Sequence, residues 1–213
     1  MASEIDICNL ALAHLGDTAT IASLSPPEGS AQAEHCARFY PVARDSLLEM
    51  HSWGFATKRV QLALLTSGWP EWTYAYAQPA DALNVIAILP PESTDDYSTG
   101  VPDSAGGSYV PQPFCCEIND SGAPVIYTDQ ADAVLRYSAT VTDPTRFSPL
   151  FVMALSWHLA SMLAGPIIKG DAGAAEAKRC AGMMQAYLSK AVESDSSQRR
   201  VRPEHVVGWM AGR

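Results

Sequence analysis

Apolar residues recur every three or four positions at both ends of this chain and every second position in its middle, a contrast that predicts helices flanking strands. In the first segment Ile5, Cys8, Leu12 and Leu15 fall at helical spacing. Ser3 is placed to cap that helix, Asp6 to return the bond to the cap, and Gly16 to stop it. After a short apolar link (IASL), SPPEGS reads as a turn. A second helical pattern then runs to about Trp53 with Cys36, Tyr40, Ala43 and Leu47 on one face. Pro41 falls inside it, which predicts a kink or a break into two shorter helices.

The period changes after Trp53. Residues 54–65 (GFATKRVQLALL) read as a bridging segment. Residues 72–77 and 83–89 read as strands joined through a bend at Pro79, and 113–118, 124–128 and 133–141 as further strands, with a tight turn from Asn119 to Gly122. Between them, residues 90–111 are rich in Pro, Gly, Ser and Asp and predict a long loop. Helix returns at Ser148-Pro149, where serine caps and proline fills the first turn. The run Leu150–Ala164 is nearly all apolar, but a membrane span needs about 20 such residues. Ser156, His158 and Ser161 interrupt this one, so a helix buried by other helices is expected. A last helix over about 171–193 carries Ala177, Cys180, Ala181, Met184, Leu188 and Ala191 on one stripe, small enough for close packing. From Ser194 the pattern is lost and an extended tail is expected.

The fold class read from this order is α+β: residues 1–55 and 146–193 a helical bundle, 56–145 a β-rich insertion, and 194–213 an extended tail. No internal repeat is visible. A hydrophobic share of 47% with 17% charge excludes disorder of the whole chain. The net charge of −9 argues against gripping DNA or anionic membrane by bulk attraction. Its distribution is uneven. Glu92, Asp95, Asp96 and Asp103 crowd the predicted loop without a lysine or arginine, whereas Arg199, Arg200, Arg202 and Arg213 make the end basic. The cysteines, Cys8, Cys36, Cys115, Cys116 and Cys180, are odd in number and lack zinc or disulfide spacing, so they are expected to be reduced thiols packed as small hydrophobes. The start MASEIDICNL has acids where a secretory signal needs a basic region, so synthesis and assembly in a reducing cytoplasm are expected.

Candidate chemistry is sparse. No nucleophile elbow, zinc-protease, P-loop or dinucleotide motif occurs. His35 and Cys36 are helix neighbours pointing about 100° apart, a poor nucleophile–base pair. His14, His35, His51, His158 and His205 show no metal-ligand spacing. Neither a catalytic residue, a metal nor a cofactor is expected. The densest feature is WPEWTYAY at 69–76. Strand alternation would put Trp72, Tyr74 and Tyr76 on one face, where they could stack on a ligand or cover a packed layer. With Trp53, Pro79 and Asp81 these rings are read as a structural corner, Asp81 bonding to amides of the bend.

The order of certain segments resembles a family. NLALAHLGD comes first, then A-x-x-C-x-x-x-Y-P-x-A-R-x-x-L-L, W-G-F-A-T-K-R-V-Q-L and W-x-Y-A-Y-x-x-P-x-D-A-L-x-V. VIYTD, LRYSATVTD and F-S-P-L-F-V-M-A-L-S-W-H-L-A follow. The set is similar to the tail tubular protein A family, the head-to-tail adaptors of short-tailed bacteriophages, over residues 5 to about 166. The resemblance implies a structural virion protein rather than an enzyme, in a dodecameric ring at the head–tail junction. Such a ring binds the portal protein above and the tail nozzle or tube below. DNA passes through its lumen without sequence-specific binding, and no membrane is involved. Within that expectation Arg199, Arg200, Arg202 and Trp209 are candidate contacts to the portal or a neighbouring subunit, being of residue types enriched at binding hot spots. Two other readings stay open: a tail-associated peptidoglycan hydrolase or carbohydrate-binding protein using residues 69–76, and an assembly factor absent from the particle.

Overall fold

The computed structural model describes residues 2–66, 69–91 and 112–198. Along the chain these form α1 (Glu4–His14), α2 (Ala31–Glu49), β1 (Thr57–Gln61), β2 (Leu64–Leu65), β3 (Tyr74–Ala77), β4 (Ala82–Leu89), β5 (Phe114–Ile118), β6 (Pro124–Thr128), β7 (Val134–Ala139), α3 (Pro149–Ile168) and α4 (Gly170–Ser197). The class is α+β, with helices at both ends and antiparallel sheets between them. Two compact units result: one runs up to Phe55 and resumes at Val141, and the other is Ala56–Thr140.

The helical unit is built from local signals that packing then confirms. Ser3 and Asp6 form a reciprocal capping box, each accepting from the other's backbone N–H at 3.1 and 2.8 Å. Gly16 takes φ +76° beyond the end of α1. Ser30 and Ser148 cap α2 and α3 singly, each hydroxyl accepting from the N–H three residues on, of Ala33 and Phe151 respectively. Pro41 does not break α2, which is one helix from Ala31 to Glu49. A mid-helix proline costs about 3 kcal/mol. Burying Cys36, Tyr40, Leu47 and Leu48 on one continuous face returns about 1.5–3 kcal/mol for each large apolar side chain, so continuity wins. The helix does stop short of Trp53. That indole sits fully buried and donates from Nε1 to the Leu47 carbonyl at 2.9 Å, taking an acceptor that one more turn of helix would need.

Helix α3 is long and apolar enough to cross a membrane by length and composition. In the structure it packs against α1, α2 and α4, burying Phe151, Leu155, Leu159 and Leu163. Where α4 turns back, a Cβ on Gly173 would lie 3.0 Å from the Ala164 carbonyl oxygen, so the approach depends on glycine at that site. Residues 194–197, expected as the start of an extended tail, belong to α4. Asp195 accepts from the Gly54 N–H and lies 3.3 Å from His51 Nε2, and this tie holds the final turn.

The second unit contains two antiparallel sheets, ordered β1-β7-β4 and β2-β3-β6-β5. The bend at Pro79 carries the chain from one sheet to the other, so β3 and β4 are consecutive but do not pair. One cluster joins both sheets, with Tyr76 and Ile126 from the second meeting Ile88, Leu135 and Tyr137 from the first. The 54–65 bridge contains strands β1 and β2, which went unread because their side chains are mostly exposed and lack an apolar alternation. The Asn119–Gly122 turn closes β5 and β6. Asn119 Oδ1 accepts from the N–H groups of Ser121 and Ala123, and Gly122 adopts φ +80°.

Candidate functional site

The aromatic stretch does not present one face. Tyr74 and Tyr76 join the cluster between the sheets, and Tyr76 donates its hydroxyl proton to the Gln130 carbonyl at 2.9 Å. Trp72 packs on the opposite side with Ala75, Val125, Tyr127 and Cys115. Alternation fails because β3 begins only at Tyr74. Ahead of it, Thr73 is fixed by donating its N–H and hydroxyl to Asp129 Oδ1, each at 2.9 Å, and this bend resets the parity.

On that opposite side lies a concavity of about 380 Å³, lined by Trp69, Pro70, Glu71, Trp72 and Glu117. Trp69 is 56% exposed. Register places Glu117 there, because Glu117 pairs with Val125 and Cys115 with Tyr127, setting alternate β5 side chains on the Trp72 face. Cys115 donates to Glu117 Oε1 at 3.3 Å. That bond, followed by burial and the charges of Glu117 and Glu71, raises the thiol's pKa. A reactive cysteine needs the reverse shift. The site therefore offers indole faces and carboxylates, a surface suited to stacking and to cations. Sequence reasoning found the tryptophans but missed Glu71 and Glu117, since only strand register brings Glu117 to Trp72.

The other corner residues lie apart from this concavity. Trp53 belongs to the helical unit, its ring edge-on to Phe151 at 5.0 Å between centroids. Pro79 accepts at its carbonyl from the Ala82 N–H. Asp81 was expected to bond amides of the bend. Its carboxylate instead receives Lys58 Nζ at 2.6 Å and the Tyr137 hydroxyl at 2.9 Å, riveting the bend to strands β1 and β7. The Lys58 bond is the main cause of its lowered pKa, so Asp81 is ionised near neutral pH and holds no proton to donate.

The described histidines are engaged in packing. His14 stacks on Trp157 with centroids 3.6 Å apart, while the Arg179 guanidinium lies over the same indole at 5.2 Å. His158 bonds Ser46, and His51 faces Asp195. Among the described residues no group of three or more His, Cys, Asp and Glu is placed to hold a metal ion. Cys8, Cys36 and Cys180 are buried free thiols as expected, but Cys116 is exposed and Cys115 half-buried. Arg199, Arg200, Arg202, His205 and Trp209 lie outside the described residues, as does most of the 90–111 segment. No protein-family model matches this chain, and no curated protein matches it in sequence.

Proposed function

We propose that this chain is a structural head-to-tail adaptor of a short-tailed bacteriophage, copies of which form a ring beneath the portal, join it to the tail and leave a passage for DNA. The observation that carries the reading is where the family-like segments fall. They build α1, α2, the turn into β1, then β3 and β4, β6, β7 and α3 in order, and most of their apolar residues are buried positions of the two units, Trp72 alone among them lining the concavity. A resemblance spread over packing residues suits a protein whose shape is its function. Two further features support it. Leu64 and Ile118, 62% and 73% exposed, sit on β2 and β5, the two outer strands of one sheet, and exposed apolar edge strands favour contact with another chain. The net charge of −9 suits a lumen along which phosphates slide without sticking.

The test is co-sedimentation with purified portal protein: the chain is expected in the portal fraction at a fixed stoichiometry, and its failure to associate in low and moderate salt would overturn the reading. One observation favours a second reading. A concavity with two tryptophans and two glutamates suits a carbohydrate, as in a wall-binding or wall-cleaving tail protein. A turbidity assay on cell walls separates the two. Clearing that is lost in Trp72→Ala or Glu117→Gln, both at the concavity, favours the second; unchanged turbidity with intact portal binding favours the adaptor.

A further inference from the structure

We propose that the concavity formed by Trp69, Trp72, Glu71 and Glu117 receives an arginine side chain from the C-terminal segment, residues 199–213, of a neighbouring copy. This rests on the ring reading and names the contact by which one subunit holds the next. The chemistry of the lining selects the ligand. Two indole rings and two carboxylates, without a lysine or arginine among the lining residues, favour a planar cation that can stack and pair at once, which describes guanidinium better than ammonium. A volume near 380 Å³ is at the small end of ligand sites, which run from about 300 Å³ upward, and suits a side chain rather than a folded surface.

Charge decides which segment of the chain supplies it. Two long stretches lie outside the described residues. Residues 92–111 carry Glu92, Asp95, Asp96 and Asp103 with no lysine or arginine, whereas 199–213 carry Arg199, Arg200, Arg202 and Arg213 against Glu204 alone. A doubly anionic site repels the first stretch and attracts the second. A contact between one copy's terminus and the next copy's concavity is heterologous, the type that builds a ring when the rotation between successive copies closes.

The test uses full-length protein. A nitrogen-15-labelled copy with Val201→p-benzoylphenylalanine is mixed with unlabelled protein, irradiated, digested and analysed by mass spectrometry, while the same sample is imaged by electron microscopy. Hybrid labelled–unlabelled cross-links from position 201 to residues 69–72 or 114–118 are expected. Glu71→Gln with Glu117→Gln should lower them about tenfold or more, as charge-assisted hydrogen bonds become neutral ones. Reversing Arg199, Arg200 and Arg202 to Glu should do the same, and combining that change with Glu71→Arg and Glu117→Arg should restore them. Rings whose cross-links land elsewhere, stay within one copy, or ignore the glutamate changes would overturn this contact and leave the ring reading standing. Absence of both rings and hybrid cross-links would overturn the two together.

Discussion

His14 and His158 meet the helical core through the same kind of bond. Each Nε2 lies about 3 Å from a serine hydroxyl, Ser156 and Ser46 respectively. Those hydroxyl protons already go to the carbonyls of Met153 and Ala43. The imidazoles must therefore donate from Nε2, which leaves Nδ1 bare in the neutral ring. At His158 that Nδ1 is buried with no partner, so a second proton would become a buried donor without an acceptor. Burial holds both pKa values down, and the Arg179 charge adds to the effect at His14. Because the folded values lie below the unfolded one, this stability is complete above about pH 6.5 and is lost as pH falls through the folded values. Urea midpoints should therefore be level from pH 8 to 7 and fall below about 6.5, with a shallower fall in His158→Gln. The carboxylates respond lower. Asp81, its pKa depressed first by Lys58, adds stability that is present above its unfolded value near 4 and lost below it. Its pair with Lys58 is partly exposed and so is screened, and Asp81→Asn should cost about 0.5–1 kcal/mol in a denaturant titration at neutral pH.

Two helix ends are set by bonds to residues outside the helix. Trp53 closes α2 through the Leu47 carbonyl, and Trp53→Phe should cost about 1–2 kcal/mol by denaturant unfolding, the loss of one buried hydrogen bond with most of the ring volume kept. Asp195 holds the last turn of α4 through Gly54 and His51. In Asp195→Ala the amides of residues 194–197 should exchange faster by hydrogen exchange, while those in the middle of α3 stay protected. This contrast explains what could be read in advance. Helix starts at Ser3, Ser30 and Ser148 are written within three or four residues, so the sequence displays them. The end of α4, the strands β1 and β2, and the facing of Trp72 depend on partners far along the chain: Gly54 for Asp195, β7 for β1, Asp129 for Thr73. The rings of the candidate site were legible for the same reason the caps were. Their union with Glu117 was not, because it follows from a strand register that no local pattern encodes.

At the scale of the whole molecule, exposed apolar side chains stand on both outer strands of the β2-β3-β6-β5 sheet. Besides Leu64 and Ile118, Leu65 on β2 is exposed, so both outer strands of the β2-β3-β6-β5 sheet offer apolar side chains to a second chain. Leu64→Lys with Ile118→Lys should leave the thermal midpoint nearly unchanged, since exposed substitutions cost about 0.5 kcal/mol or less, yet shift the protein toward monomer in sedimentation. Interface charges of this kind act on assembly rather than on the fold. Twofold self-association would be satisfied by one patch meeting itself, whereas two different edges on one sheet suit head-to-tail repetition, which yields a ring when the rotation between copies closes. The most direct measurement is electron microscopy of the purified full-length protein, alone and mixed with portal. Closed rings with an open centre, either free or seated on the portal, are the expected result. Solitary particles in both samples would contradict the adaptor reading at its root.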